Sequence, residues 1–485
     1  MEKSKTKLKR SQRIFVNRSL NMANIKAIGF DMDHTLICYN RETFEEIAFY
    51  ETVKKFVEAG YPEELSQLKF IPDFVIRGLL VDIDRGNVLK VDCHKYVKLA
   101  FHGKTVLDKE TRHRLYNIES LKAYDFLTID SFFALSEVQL FCEIVDYMDK
   151  HPGSVKKTYR EVYADLRKFI DLSHQDGTIK SHIFKQPEKF LMFDKHLTTA
   201  LIRLLDANKV LFLLTNSPWD YTDKIMSLVF DQAHKDFPRW RDYFQYTIVG
   251  AGKPTFFTNT TPFHEVDPKT GEKREFDGSL EYWKIYHGGN AGLFQRLSGL
   301  RGDEILYVGD HLYSDIIRSK DLLNWRTLVI MPELIAEMKK LEAVQPIMEK
   351  ILDLVSEKEI LDEELQILKS KISSNTRQAH ILESKSEKKK AYYLDKSNEK
   401  IIQKAQQKEK EIEEVGQGIR NLIEEREAAF HPVWGELMKV NLERSRFANQ
   451  VVDYACIYTT QVSNLRFYSP SKRFISTYDI LPHEL

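Results

Sequence analysis

Three short apolar runs constrain most strongly how this 485-residue chain can fold. They are Ile25–Phe30, Val210–Leu214 and Ile305–Val308, and each is followed directly by polar residues. β-branched and leucine-rich runs of this length are typical of strands that helices cover on both faces. Such runs predict an α/β fold with a doubly wound parallel sheet. Because ligands of such sheets bind beyond the carboxyl ends of the strands, we expect the chemistry where the three runs end.

The spacing of these runs predicts the domain organisation. About 165 residues separate the first run from the second, far more than a crossover helix needs, so residues 40–206 are expected to form a large inserted cap that recognises the substrate. The catalytic core is then assigned to residues 1–39 and 207–332. A charged helical region is predicted at 333–430, and the segment 431–485 is expected to return to the core.

The charged region carries two apolar seams of helical period. A polar stretch separates them, and apolar residues alternate by four and three on each side of it, which is typical of a helical hairpin or a short coiled coil. The seams consist of Leu354, Leu361, Leu365, Leu368 and Ile372, and of Ile412, Val415, Ile419 and Leu422.

Composition excludes several classes of function. The 72 Lys and Arg residues balance the 72 Asp and Glu residues, which argues against a general nucleic-acid binder. No uncharged apolar run reaches the ~18 residues of a membrane span, and the basic N-terminus lacks the apolar stretch of a signal peptide. The four cysteines form no CxxC pair, which argues against a zinc or disulfide framework and favours a reducing cytoplasm.

Acidic residues follow the first and the third apolar run. Asp31 and Asp33 come after the first, Asp310 and Asp315 after the third, and Lys253 lies between the second and third runs. A single Asp-x-Asp pair is more often a loop or a helix cap, but here several strand ends supply such groups together. Clustered carboxylate oxygens suit Mg²⁺ better than zinc or copper. Asp31 and Asp33 can face one pocket only if the backbone turns directly after the strand.

The order of these motifs resembles the haloacid dehalogenase superfamily of phosphotransferases. Within it, the chain is similar to the type II cytosolic purine 5′-nucleotidases over nearly its whole length. The strings that carry this likeness are RIFVNRSL, FDMDHTL, SFFALSE, TNSPWDYTDKIM, GKPTFF, ILYVGDHLYSDI, SRFANQVVDYACIYT and the terminal LPHE.

The resemblance implies a role for each acidic residue. Asp31 is expected to attack phosphorus as the nucleophile, and Asp33 to act as general acid and then as general base. Mg²⁺ is expected to bind the Asp31 and Asp310 side chains and the main-chain carbonyl of Asp33. Asp315 is expected to support Lys253 or the metal ligands. Thr215 and Lys253 are expected to hold the phosphate oxygens, and Asn216 and Ser217 are expected to belong to the substrate-binding residues as well.

A segment of the insertion is expected to recognise the base of the substrate. In a helix, Arg167, Asp171 and His174 share one face, and a turn at Asp176-Gly177 leads on to Lys180. Taken alone, such a stripe is more often a solvated helix face. The family likeness implies contacts to the base, because Arg and Lys donors match O6 and N7 of hypoxanthine or guanine. Phe133 is expected to stack on the base, with Phe132 as the alternative, although either ring could belong to the core.

The sequence therefore predicts a Mg²⁺-dependent 5′-nucleotidase that prefers IMP and GMP, with nucleoside phosphotransferase activity. A phosphatase of the same superfamily acting on another phosphoester is the second possibility. A non-catalytic helical interaction protein on the same scaffold is the third. The expected partners are purine nucleoside monophosphates and nucleosides, with no nucleic acid and no membrane. The resemblance implies a homo-oligomer in the cytoplasm.

Overall fold

The structure is a computed structural model, and it describes residues 8–116 and 126–477, apart from the side chain of Gln175. The terminal LPHE string and the first seven residues of the basic N-terminus lie outside the described residues. The chain divides into two units. The first consists of residues 1–335 and 437–485, and the second of residues 336–436.

A ten-stranded sheet forms the centre of the first unit. Seven neighbouring strands, from Ile457–Thr459 to Lys284–Gly288, are parallel, and the edge strands pair antiparallel. The predicted α/β fold is therefore confirmed. Across the sheet the order is Phe15–Val16, Ile457–Thr459, Arg326–Ile330, Ile305–Gly309, Ala27–Phe30, Val210–Leu214, Tyr246–Val249, Lys284–Gly288, Phe263–Val266 and Lys273–Glu275.

The central strand Ala27–Phe30 is fully buried because both faces of the sheet are covered. Ile28 and Phe30 face the larger apolar cluster, to which the helices Leu197–Leu205 and Trp219–Phe230 contribute. Ala27 faces a second cluster, which contains residues of the helix Ala291–Ser298. The strand lies between Ile305–Gly309 and Val210–Leu214, so the ends of the three predicted runs are neighbours in space.

The insertion between the first two core strands contains its own antiparallel sheet of five strands. Their order is Thr105–Val106, Val97–His102, Asn87–Val91, Leu80–Asp82 and Leu127–Thr128. Within its described residues, the insertion contains the helices Arg41–Glu58, Lys109–Leu115, Phe133–Lys150, Tyr159–Gln175, Thr178–Lys185, Pro187–Phe190 and Leu197–Leu205. The last of these helices packs in the same apolar cluster as the core strands.

Two long helices, Gln345–Ser384 and Lys388–Ala428, make up most of the second unit. They form the predicted helical hairpin. The buried residues are Ile351, Leu361 and Ala379 in the first helix and Ala391, Asn398, Ile401, Ala405 and Arg426 in the second. Between the two helices, Asn398 accepts a hydrogen bond from Asn375 at 3.0 Å, and Lys369 pairs with Glu409 at 2.7 Å.

The remaining described helices lie between strands of the ten-stranded sheet along the chain. They are Arg318–Leu323, Leu334–Ala343 and Arg446–Tyr454. Among the described residues, none of the helices has the length and apolar character that a membrane crossing needs.

Candidate active site

The backbone turns sharply directly after the central strand. His34 has a left-handed φ of 57°, and the carbonyl of Met32 accepts two backbone N–H groups of the turn at 2.9 Å each. Side chains alternate along an extended chain, so only such a turn allows Asp31 and Asp33 to face one pocket. Both carboxylates line the same cavity.

Lys253 lies at the centre of a buried charge network. Its Nζ is 2.8 Å from Oδ1 of Asp31, 2.7 Å from Oδ1 of Asp315 and 2.9 Å from the hydroxyl of Tyr307. Three acceptors thus match the three protons of the ammonium group. The Asn216 side chain fixes the lysine backbone, because it accepts the Lys253 N–H at 2.6 Å and donates to the Lys253 carbonyl at 3.0 Å.

Both oxygens of Asp33 accept hydrogen bonds from hydroxyl groups. Tyr39 donates to Oδ1 at 2.6 Å and Ser217 to Oδ2 at 2.8 Å. The hydroxyl of Tyr221 lies 2.7 Å from that of Tyr39. Thr215, at the end of the neighbouring strand, accepts the Ser217 N–H at 3.1 Å. The carboxyl group of Asp33 is therefore held in one orientation.

Asp310 follows the third predicted strand and is 3% exposed. Arg77 donates to its backbone carbonyl at 2.6 Å, and the Thr35 hydroxyl lies 3.4 Å from its Oδ1. The preceding residue is Gly309, and a Cβ there would overlap the side chain of Asp315. The glycine in this Gly-Asp pair therefore allows two carboxylates to pack at the end of one strand.

Three carboxylates share this buried end of the cavity. Oxygens of Asp31, Asp310 and Asp315 lie within 4.8 Å of one another. Burial raises the pKa of Asp31 to about 6, with Lys253 opposing the shift and Asp315 adding to it. Burial and the charge of Asp31 hold the pKa of Asp310 well above its usual range. This crowded, all-oxygen donor set fits a hard divalent cation such as Mg²⁺, which would offset the mutual repulsion of the carboxylates.

The pKa values of Asp33 and Lys253 are both raised, for different reasons. Burial raises the pKa of Asp33 to about 6, although the hydrogen bond from Tyr39 opposes the shift. A carboxyl group with a pKa near neutrality can both give and take a proton. Burial disfavours the charged form of Lys253, but attraction to Asp31 and Asp315 outweighs it and keeps the lysine pKa well above its ordinary value.

A single cavity of about 830 Å³ contains the charge network and extends into the insertion. Every predicted site residue except Asp315 lines it, and Asp315 contacts the cavity residue Lys253. The lining residues among those predicted are Asp31, Asp33, Phe133, Arg167, Asp171, His174, Lys180, Thr215, Asn216, Ser217, Lys253 and Asp310.

The far end of the cavity is formed by the helix Tyr159–Gln175. Arg167 donates to Glu137 at 2.7 Å and lies 3.3 Å from Asp171. Val162 and other apolar residues of this helix are buried. The polar residues Arg167, Asp171 and His174 therefore line the cavity together with Ile170, whereas Val162 and Leu166 are fully buried.

Aromatic rings form a second wall at this end. The ring of Phe133 is perpendicular to that of His174, with centroids 5.6 Å apart, and Phe44 stacks against His174 at 6.1 Å. Phe132 is instead buried, with the guanidinium of Arg77 4.1 Å above its ring. Of the two candidate phenylalanines, Phe133 is thus the one that lines the cavity.

Several residues of the site were not predicted from the sequence. Tyr39, Tyr221 and Tyr307 orient the charged groups, Arg77 binds the Asp310 carbonyl, and Glu137 holds Arg167. Of these residues, only Glu137 could have been identified from a pattern in the sequence. It follows Phe133 by four residues, which places both on one helix face.

The sequence is similar to a known protein family and to proteins of other organisms. A model described as the 5′ nucleotidase family matches residues 14–485. The 5′-nucleotidase domain-containing protein 2 of Homo sapiens is 33% identical over 348 residues, 68% of this chain and 65% of the human protein. A 5′-nucleotidase domain-containing protein of Dictyostelium discoideum is 27% identical over 485 residues, 98% of this chain and 75% of that protein. The match thus spans less than two thirds of the human relative.

Similarity to solved structures is weaker. The CbbY structure from Rhodobacter sphaeroides in complex with phosphate aligns with 63% of this chain and 86% of its own, at 12% identity and a TM-score of 0.24. A TM-score this low supports no argument about the present chain. The family model, in contrast, extends over the described core, the insertion and the helical hairpin. The chain belongs to the 5′-nucleotidase family.

Proposed function

We propose that this protein is a Mg²⁺-dependent 5′-nucleotidase that hydrolyses purine nucleoside 5′-monophosphates, IMP and GMP, through an aspartyl phosphate. The observation that carries the proposal is the position of Asp31. Its carboxylate lies 2.8 Å from the buried ammonium of Lys253 and shares a cavity with Asp33 and Asp310. A scaffold without catalytic activity has no need for this costly cluster of buried charges.

In the first step, an Asp31 oxygen attacks phosphorus and the bond from phosphorus to the 5′-oxygen breaks. Asp33 gives its proton to that departing oxygen, and the nucleoside leaves. In the second step, Asp33 takes a proton from water as the water oxygen attacks the same phosphorus. The bond to Asp31 then breaks, which restores its carboxylate and releases phosphate.

Two further residues stabilise the charge that develops on phosphate. Lys253 is adjacent to Asp31, so a phosphate oxygen placed there can share its ammonium protons, and Thr215 offers a hydroxyl at the neighbouring strand end. Asp31, Asp310 and the Asp33 carbonyl would hold Mg²⁺, whose positive charge would offset the repulsion between the nucleophile and the phosphate. Asp315 contributes by holding Lys253 at 2.7 Å.

The purine preference rests on the polar groups at the far end of the cavity. Arg167 and Lys180 can donate to O6 and N7, and Asp171 can accept from N1–H or from the guanine amino group. Adenine has no O6 acceptor and no N1–H, so it would leave these groups unpaired, which costs free energy. Phe133 and His174 supply aromatic surface for the base.

Phosphotransferase activity follows from the same intermediate. A nucleoside bound against Phe133, Arg167 and Asp171 presents its 5′-hydroxyl where the leaving oxygen was. Asp33 can deprotonate this hydroxyl as it would deprotonate water. Effective molarities of about 10⁵ M or more allow a bound hydroxyl to compete with water.

The test is phosphate release from IMP, GMP, AMP, CMP and ribose 5-phosphate, with Mg²⁺ and after chelation. The proposal expects the fastest turnover with IMP and GMP and loss of activity on chelation. Equal rates on all five substrates would instead indicate a phosphatase for another phosphoester. No turnover of any of them would favour an interaction protein. A cytoplasmic location, self-association and the lack of nucleic-acid and membrane partners stay predictions from the sequence.

A further inference from the structure

A second cluster of potential metal ligands lies far from the catalytic carboxylates in sequence. Among the residues that the structure describes, two groups bring together three or more His, Cys, Asp or Glu side chains with ligand atoms within 4.8 Å. One is the carboxylate cluster of the candidate active site. The other consists of Cys93, His94 and Glu443, with the histidine Nε2 3.5 Å from a carboxylate oxygen of Glu443.

Two tight turns bring these ligands together. Cys93 and His94 belong to the turn at 92–96, in which the buried carboxylate of Asp92 accepts the N–H groups of His94 and Tyr96, both at 2.9 Å. Glu443 follows a two-residue hairpin turn between the strands Lys439–Val440 and Glu443–Arg444. Hydrogen bonds to Asp92 and the pairing of the two short strands therefore fix the backbone of these turns, with no contribution from the side chains of the three ligands.

Backbone contacts join the two turns. The N–H of Cys93 donates to the carbonyl of Arg444 at 2.9 Å, and Asp92 forms an isolated antiparallel bridge with Ser445. The ligands thus come from segments about 350 residues apart, held in register by the main chain. The cysteine spacing in the sequence argued against a zinc framework, and Glu443 lies far from Cys93 and His94 along the chain. Only the folded structure brings the three side chains together.

The chemistry of the three donors selects the class of metal. A thiolate, an imidazole and a carboxylate are each donors that bind zinc, whereas Mg²⁺ and Ca²⁺ prefer oxygen ligands alone. Nitrogen and oxygen ligands at 2.0–2.2 Å on a tetrahedron lie roughly 3.3–3.6 Å apart. The observed 3.5 Å between His94 and Glu443 fits this spacing. The thiolate and carboxylate charges together match those of a divalent cation.

We propose that Cys93, His94 and Glu443 bind Zn²⁺, with water as the fourth ligand, and that the ion links the turn at 92–96 to the hairpin that precedes Ser445. Binding releases the proton of the Cys93 thiol. The alternative is a simple ion pair between His94 and Glu443, to which Cys93 contributes nothing. The proposal does not depend on the nucleotidase activity.

The test uses the reduced full-length protein, freed of metal and kept in excess Mg²⁺ so that the carboxylate site is occupied. Co²⁺, a spectroscopic substitute for zinc, is titrated in. One equivalent is expected to produce a thiolate-to-cobalt charge-transfer band in the near ultraviolet and the visible bands of tetrahedral cobalt. Zn²⁺ should then displace the cobalt and raise the midpoint of thermal unfolding.

Variants distinguish the metal site from the ion pair. Cys93→Ser should remove the charge-transfer band, and His94→Ala or Glu443→Gln should weaken Zn²⁺ binding at least ~10-fold. Cys38→Ser is the matched control, because Cys38 is another partly exposed cysteine and its removal should leave the band intact. The proposal is overturned if the parent protein gives no charge-transfer band, if the band survives in Cys93→Ser, or if His94→Ala binds Zn²⁺ as tightly as the parent.

Discussion

The hydroxyl of Tyr39 donates a hydrogen bond to Oδ1 of Asp33 over 2.6 Å, and both groups belong to the segment that follows the central strand. The hydroxyl of Tyr221 in turn lies 2.7 Å from that of Tyr39. Because Ser217 occupies the other Asp33 oxygen, the carboxyl group cannot rotate freely. The two tyrosines therefore fix the orientation of the group that transfers protons in the proposed reaction.

Replacing Tyr39 by Phe tests this positioning role. A hydrogen bond to a charged group is worth ~1.5–3 kcal/mol, so kcat should fall roughly 10- to 150-fold, while KM for IMP changes little because Tyr39 is not expected to touch the base. Tyr221→Phe, which removes the more distant hydroxyl, should cause a smaller loss of kcat. Steady-state kinetics measure both, and a Tyr39→Phe enzyme with at least half the parent kcat would rule the role out.

Asp171 tests recognition of the base. Replacement by Ala should lower activity on IMP and GMP about 10- to 150-fold, since one hydrogen bond to a charged group is lost. Activity on ribose 5-phosphate, which has no base, should hardly change. Lys168→Ala, an exposed substitution on the same helix, is the control. Equal losses on all three substrates would assign Asp171 to the structure of the insertion instead.

Part of this site could be predicted from the sequence because its residues lie in short local patterns. Asp31 and Asp33 follow a buried run, and the helical spacing of Arg167 and Asp171 places them on one face. Tyr307 could not be found in this way. It lies inside a strand that reads as uniformly apolar. It meets Lys253 only in the folded chain, because two strands separate its own strand from Tyr246–Val249, which precedes Lys253.

The same limit applies to the fold. The parallel core could be predicted from three apolar runs, and the hairpin from the period of its seams. The antiparallel sheet of the insertion could not, because strands such as Asn87–Val91 and Val97–His102 depend on pairing with each other. Cys93 and Glu443, the ligands of the proposed zinc site, are likewise brought together only by tertiary structure.

The pKa of His174 predicts how the stability of the protein depends on pH. Burial, with the nearby charges of Arg167 and Lys180, lowers its pKa from 6.5 to about 4. Between pH 6.5 and pH 4, His174 is protonated in the unfolded chain but stays neutral in the folded chain. Protonation therefore favours the unfolded state, so the contribution of His174 to the free energy of unfolding has its full value above pH 6.5 and decreases as pH falls toward 4.

Chemical denaturation at pH 7 and at pH 5 measures this effect. The parent protein should lose more stability between the two pH values than His174→Asn, which has no imidazole to protonate. The comparison is between slopes, because the variant also loses packing against Phe133 and Phe44 at every pH. Parallel pH dependences for the two proteins would mean that His174 titrates normally in the folded state.

The transferase activity has its own test. Labelled inosine is supplied with unlabelled GMP and Mg²⁺, and the product is examined for labelled IMP. The label should appear in IMP while GMP is consumed, because inosine can occupy the site that guanosine leaves. If phosphate is released in full and IMP stays unlabelled at millimolar inosine, water alone reaches the intermediate, and the enzyme is a hydrolase only.

The central claim is that the phosphoryl group passes through Asp31. The most direct measurement mixes the protein with GMP and Mg²⁺, stops turnover rapidly and reduces the mixture with borohydride, which converts an aspartyl phosphate to homoserine. Peptide mass spectrometry should then find homoserine at position 31, and Asp31→Asn should show neither homoserine nor turnover, with a loss of ~10⁴-fold or more. An enzyme that releases phosphate from GMP while Asp31 stays unmodified, or an Asp31→Asn variant within tenfold of the parent rate, would contradict the account.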